Sequence, residues 1–179
     1  MRKKIILLSL VVLSFMLVGC SFNNTPKAKV EEVLMKYQNN SDVVKNELND
    51  YLGTLDISEN NLEEYRKIYD RQYANLTYDI KDELIDGDKA SVKVQIEVYD
   101  YYKTEQDAIR YTTDNAADFI TDNMMDIGKV MTYKLDKLFK TNERVTYTIM
   151  FNLNKVDDVW TIDKLSNEDL EKIHGIYAH

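Results

Sequence analysis

The stretch Ala90 to Val98 alternates strictly. Ala90, Val92, Val94, Ile96 and Val98 are apolar, and Ser91, Lys93, Gln95 and Glu97 stand between them. A helix cannot keep such a row on one side, whereas a strand sends successive side chains to opposite faces, so this segment is committed to a strand with one buried and one wet face. Upstream, Tyr78, Ile80 and Leu84 alternate in the same manner, and the intervening Asp86-Gly87 suits a tight type I′ turn. Val145, Tyr147, Ile149, Phe151 and Leu153 form another strict alternation, and Trp160 and Ile162 share one face of a last strand. One-faced antiparallel strands need an apolar cover on one side only, and the remaining segments supply it as helices.

From Ala28 to Leu52 the apolar residues Val30, Val33, Leu34, Tyr37, Val44, Leu48, Tyr51 and Leu52 recur at threes and fours, the spacing of one helical face, with Asn39, Asn40 and Ser41 placed to bend it and Gly53 to stop it. A second helix begins at Ser58 or Asn61, the latter with Glu64 in capping-box position, and turns Leu62, Tyr65, Ile68, Tyr69, Gln72 and Leu76 inward. Tyr99, Asp100, Tyr101 and Tyr102 close the strand before a third helix. That helix is capped by Thr104 with Asp107, lined inside by Ile109, Thr112, Ala116, Phe119, Ile120 and Ile127, and ended at Gly128. Lys134 to Lys140 reads as a strand joined to Val145–Leu153 through Thr141-Asn142-Glu143. Ser166 caps a short terminal helix with Asp169 in its first turn, Leu170 and Ile173 inward and Gly175 at its end. The expected order is α-α-β-β-α-β-β-β-α, an α+β domain in which a curved sheet wraps helices.

The amino terminus has a different character. Arg2, Lys3 and Lys4 precede an apolar run from Ile5 to Val18, about the length of a signal-peptide centre and short of the roughly 20 residues of a spanning helix. The run ends in Leu17-Val18-Gly19-Cys20, which resembles the lipobox of bacterial lipoproteins. The resemblance implies that residues 1–19 are a removable leader and that the Cys20 thiol carries a diacylglyceryl group. Two acyl chains anchor stably where one gives only marginal binding. A short uncleaved transmembrane anchor, or a secreted chain cut nearby, are the alternatives. Residues 20–27 read as the lipidated cysteine and a tether, and residues 28–179 as the domain. Without the leader the chain has 20 basic against 31 acidic residues, a formal charge of about −11. That disfavours nucleic-acid binding and a polybasic membrane-binding face, leaving the lipid on Cys20 as the link to the membrane. One cysteine excludes an internal disulfide.

The order of elements, with Ile85-Asp86-Gly87-Asp88-Lys89-Ala90-Ser91-Val92 in the hairpin and Asp158-Val159-Trp160-Thr161-Ile162-Asp163-Lys164-Leu165 near the end, looks like the cystatin-like, NTF2-like superfamily. Uncharacterised lipoproteins of Gram-positive bacteria carry such domains. The resemblance implies a cone-shaped sheet with a hollow face able to hold a ligand. Tyr65, Tyr69, Tyr101 and Trp160 are the expected aromatic members of such a pocket, because tyrosine and tryptophan pair an apolar face with a polar tip, although core packing accounts for most of them equally well. Asp114, Asp118, Asp122 and Asp126 recur every four residues, which on one helix makes a solvated outer stripe rather than a cation site; no metal and no cofactor are expected. His174 reads as a favourable charge at a helix C-terminus. No nucleophile signature, phosphate loop or metal triad is present in the sequence. The expectation is a non-catalytic, extracytoplasmic, membrane-anchored lipoprotein binding an envelope protein or small ligand. A small hydrolase or isomerase using an acidic residue in the cone is the alternative, with Asp100 and Tyr101 near the strand end but no position matching a catalytic motif of the superfamily, and a structural spacer is a third. Oligomeric state is open.

Overall fold

The computed structural model describes residues 24–55 and 57–179. Residues 1–19, expected as a leader, and Cys20 lie outside the described residues. Among these, six α-helices and a four-stranded curved antiparallel sheet make an α+β domain, with a 3₁₀ turn and a two-residue-strand hairpin as minor elements. The helices are α1 (Pro26–Gln38), α2 (Asp42–Leu52), α3 (Glu59–Ala74), α4 (Tyr101–Asp114), α5 (Ile127–Lys140) and α6 (Asn167–His174). The main strands are β1 (Thr77–Asp86), β2 (Lys89–Tyr99), β5 (Arg144–Val156) and β6 (Val159–Ile162), in the order β1-β2-β5-β6, and β3 (Ile120–Thr121) pairs separately with β4 (Met124–Met125).

The alternation in β2 and β5 decides the layering. Val92, Val94, Ile96, Val98, Ile149, Phe151 and Leu153 are all buried, and α1, α3 and α6 cover them, while Lys93, Glu97, Thr146, Thr148 and Asn152 face solvent. Val94 faces Ile149 and Val92 faces Phe151, so the cross-strand partners share the core. Further from the sheet, α5 packs against α3 and α4.

Several local expectations need correction. The helix expected from Ala28 to Leu52 is two helices. Asn40 takes a left-handed φ of 47°, the Ser41 N–H reaches the Lys36 carbonyl and the Asn40 N–H reaches Tyr37, a Schellman closure that ends α1 before Ser41 opens α2. Pro26 and Lys27, expected in the tether, form the first turn of α1, capped by the Thr25 hydroxyl. The hairpin pairs Asp86 with Lys89, so its central residues are Gly87-Asp88, and only Gly87 has positive φ, the pattern of a type II′ turn rather than I′. A bulge between Ile80 and Asp82 then reverses the facing of β1. Leu84, expected beside Tyr78 and Ile80, instead pairs with Ser91 on the outer face and is 67% exposed.

The region after Tyr99 departs furthest. Asp100, not Thr104, caps α4: its carboxylate accepts the Lys103 N–H at 2.8 Å, so Tyr101 and Tyr102 belong to the helix rather than to the strand. α4 stops at Asp114 because the Asn115 side chain turns back to the Tyr111 carbonyl. Asp122 and Asn123 both have positive φ (53° and 63°) in a two-residue turn between Thr121 and Met124. Asp126 then caps α5 through the Lys129 N–H at 3.0 Å, so Lys134–Lys140 is helical, with Leu135 and Leu138 inward, and Gly128 lies in the first turn of a helix instead of ending one. The acidic stripe therefore does not exist as a stripe. Its four aspartates are distributed over a helix end, a 3₁₀ turn, a hairpin turn and a cap, and Ile109, Ile120 and Ile127 of the expected inner face are exposed.

Candidate functional site

The break at Asn39–Ser41 folds α2 back beside α3, and the segment from β6 into α6 runs opposite. Between them lies a groove of about 710 Å³. Val33 and Tyr37 of α1, Val44, Leu48 and Tyr51 of α2, Tyr73 of α3, and Ile162, Leu165, Leu170, His174 and Ile176 form its apolar wall. Lys36, Glu47, Asp163, Lys164 and Glu171 stand around it. The size and the mostly apolar lining with a few polar groups are those of small-molecule sites.

His174 and Tyr73 form the polar floor, with the Tyr73 hydroxyl 2.9 Å from His174 Nδ1. The imidazole stacks on Tyr51 (centroids 6.0 Å apart) and meets the Tyr69 ring edge-on at 5.4 Å. Burial among these rings pushes the His174 pKa down to about 4. The sequence reading of His174 as a charge at a helix terminus is thus corrected: desolvation outweighs the helix dipole, and the ring is neutral at pH 7. Burial also raises the Tyr73 hydroxyl well above its usual range, and burial followed by the nearby Glu47 charge raises Tyr37 to about 12. The groove floor is therefore uncharged at neutral pH. An imidazole this weakly basic is poorly matched to general-base work at pH 7.

The tyrosines named from the sequence lie behind this floor. Tyr65 stacks on Tyr69 at 6.4 Å, Tyr69 on Tyr73 at 6.1 Å, and Tyr101 meets Tyr69 edge-on at 6.2 Å. Tyr101 donates its hydroxyl to the Ile68 carbonyl at 2.9 Å. The structure thus joins Tyr65, Tyr69 and Tyr101 in one aromatic cluster, with Tyr69 and Tyr101 fully enclosed. Trp160 is elsewhere, buried on β6 under α1, with its backbone N–H bonded to the Asn24 side chain at 3.0 Å. None of the four lines the groove; its aromatic wall is Tyr37, Tyr51, Tyr73 and His174. Tyr73 was signalled by its spacing from Tyr65 and Tyr69 along α3. Nothing local marks Tyr51 or His174, which reach the groove only through the folding back of α2 and α6.

Asp100 is the one buried carboxylate among the described residues. It lies at the end of β2, away from the groove lining, and both its oxygens are engaged: Oδ1 caps α4 and Oδ2 is 3.3 Å from His179 Nε2 of the carboxyl-terminal segment. The Tyr147 hydroxyl donates to the Tyr177 carbonyl at 2.8 Å and fastens the same segment to β5. A second, shallower cleft of about 430 Å³ lies between α4 and α5, floored by the stacked Tyr111 and Tyr133 rings (4.8 Å) and edged by Asp107, Lys137, Lys140 and Glu143. Its charges are largely spent on each other, Lys103 bridging Asp107 and Glu143. Among the described residues no three His, Cys, Asp or Glu side chains come together as a metal site, and no helix is long and apolar enough to cross a membrane. Comparison of the chain with family models, curated proteins and solved structures gives no match.

Proposed function

We propose that this chain is an extracytoplasmic lipoprotein, held at the cell membrane by a diacylglyceryl group on Cys20, whose NTF2-like domain is a non-catalytic binding module. The observation that carries the binding reading is the groove of about 710 Å³ with its neutral Tyr73–His174 floor. Apolar walls favour a small apolar or aromatic envelope ligand, and Tyr51 and Val43, 39% and 58% exposed at the groove, present apolar surface to whatever enters. Against catalysis stand the depressed basicity of His174 and the employment of Asp100 as a helix cap. A cone-like sheet in this reading is filled by α1, α3 and α6 on its inner face, and the ligand sits beside the helices rather than in the hollow.

Two measurements test the two parts. A fluorescent fatty acid titrated into the wild-type domain should bind saturably, and Leu165→Arg or Tyr51→Lys should weaken it by tenfold or more; identical titrations for all three proteins would remove the groove from consideration. Cys20→Ala should move the protein from the detergent phase to the aqueous phase or leave an uncleaved precursor. Unchanged partitioning and processing would refute the anchor.

A further inference from the structure

At one end of the domain β1 ends, β2 begins, β5 ends and β6 begins, so the Gly87-Asp88 and Asp157-Asp158 turns project together. The Lys155 N–H binds the Asp88 carbonyl at 2.8 Å and ties one hairpin to the other. The first described residues are fastened to this same end. The Asn24 side chain donates to the Asp158 carbonyl at 2.7 Å and accepts the Trp160 N–H at 3.0 Å, mimicking a strand partner along β6, and the Lys27 N–H binds the Glu83 carboxylate on β1 at 2.9 Å. Three residues lie between Cys20 and Asn24, and the four Cα-to-Cα steps reach at most about 14 Å even when fully extended.

From this we infer that the turn end of the sheet is a membrane-contacting surface, resting on a lipid bilayer. The inference depends on the reading of Cys20 as the lipid attachment site, since the short reach from a lipidated Cys20 to the pinned Asn24 keeps this end within about 14 Å of the headgroups and closer than any other part of the domain. The side chains there suit contact with a bilayer. Leu84, Ile85, Val156 and Val159 are 67%, 52%, 58% and 48% exposed, and the bulge in β1 is what turns Leu84 outward. Asp86, Asp88, Asp157 and Asp158 are exposed at the same end and outnumber Lys89 and Lys155, so attraction to anionic lipid does not drive the contact, which exists only while the anchor holds it. The partner is a lipid surface reached through the anchor, with the four apolar side chains settling at headgroup level.

The full lipidated protein, with Cys20 occupied by lipid, tests this with single cysteines carrying an environment-sensitive fluorophore: Leu84→Cys and Val156→Cys at the turn end, and Thr77→Cys at the far end of β1. The proteins are reconstituted into equimolar phosphatidylglycerol and phosphatidylcholine vesicles containing a headgroup nitroxide quencher. Quenching severalfold stronger at positions 84 and 156 than at 77 is expected. Equal quenching at all three, in protein that floats with the vesicles, would show a freely tumbling domain and overturn the orientation while leaving the anchor intact. Protein that fails to float would bring down the anchor reading and the orientation together. A blue shift at 84 and 156 that persists in Cys20→Ala protein free of lipid and detergent, and grows with protein concentration, would assign these side chains to a second copy of the chain and overturn the bilayer contact.

Discussion

Gln72 is fully buried in a cluster of tyrosines, and its amide serves three backbone groups at once. Nε2 donates to the Tyr99 carbonyl at 3.1 Å and to the His174 carbonyl at 2.9 Å, and Oε1 accepts the Tyr99 N–H at 2.8 Å. One side chain of α3 thus fastens the end of β2 to the end of α6. Replacing it by leucine keeps the approximate volume and strands all three groups, each at a cost of about 1 to 3 kcal/mol; after allowance for the added apolar burial, a net loss of about 3 kcal/mol is expected. Urea unfolding followed by circular dichroism reads this as a lower midpoint at unchanged slope. Gln72→Glu adds a signed test. A carboxylate can accept the Tyr99 N–H but faces two carbonyl oxygens, and both this and burial raise its folded pKa above the ordinary glutamate value of about 4.3. Because the folded pKa is raised, its stabilising contribution is fully present below the unfolded value and is lost as pH rises through the folded one. The gap between Gln72→Glu and wild type should therefore be smallest near pH 4 and widen toward neutrality. A gap that does not change with pH, or a loss below 1 kcal/mol in Gln72→Leu, would refute the clamp.

Gly175 closes α6 with φ +73°, and a Cβ there would lie 2.2 Å from the Tyr99 carbonyl oxygen and 2.3 Å from Gln72 Nε2. Gly175→Ala should cost about 2 to 5 kcal/mol, combining left-handed strain with the clash, and a thermal melt within a degree of wild type would contradict it. His174, with a folded pKa of about 4 against an ordinary 6.5, takes up its proton in the unfolded chain first as pH falls. Its depressed pKa removes stability between pH 6.5 and 4, by about 3 kcal/mol at the acid end, and none above pH 7. His174→Phe should flatten that part of the stability profile; a profile of unaltered steepness would show that other groups set it. Trp160, 7% exposed, should lose about 3 to 5 kcal/mol on conversion to alanine, and a loss under 1 kcal/mol in urea would place it outside the core.

What the sequence disclosed and what it hid divide along one physical line. β2 and β5 were legible because every second residue repeats the same choice, so even an error in one position leaves the period intact. The Ser166 cap and the Gly175 stop were legible because each has a single-residue cause. The region from Asp114 to Asp126 was not, since its four aspartates fit a helical period by coincidence while the Asn115 side chain, which bonds the Tyr111 carbonyl, and the Asp122-Asn123 pair, which takes left-handed backbone, were available to break it. Lys134–Lys140 was misread although Leu135, Leu138 and Phe139 stand at i, i+3 and i+4, the spacing of a helical face, because ending the preceding helix at Gly128 cut these seven residues off from the Asp126 cap that starts their own helix. The groove was least legible of all. Tyr73, Tyr51 and His174 come from three helices, and no local pattern records that α6 returns to the side of α2.

The proposed anchor on Cys20, together with the position of the groove, constrains what the groove can take. α1 starts at the pinned end, where Thr25 and Lys27 sit beside β1 and β6, and ends where the Gln38 side chain binds the Leu76 carbonyl just ahead of β1. Its 13 residues carry the chain about 20 Å along the sheet. Lys36 and Tyr37, on the last turn, belong to the groove. With the turn end resting on lipid as inferred above, the groove's near edge at Val33 and Ile162 stands about 10 Å from the headgroups and its far edge at Tyr37 about 20 Å, so an acyl chain would have to leave the bilayer core to fill it. A ligand must therefore arrive from the aqueous side, as a free amphiphile, an aromatic metabolite or a segment of a neighbouring envelope protein. Vesicle lipids should then fail to displace a fluorescent fatty acid from the anchored protein at concentrations where monomeric fatty acid displaces it. Equal displacement by both would place the groove at the membrane and reverse the orientation argued from Asn24.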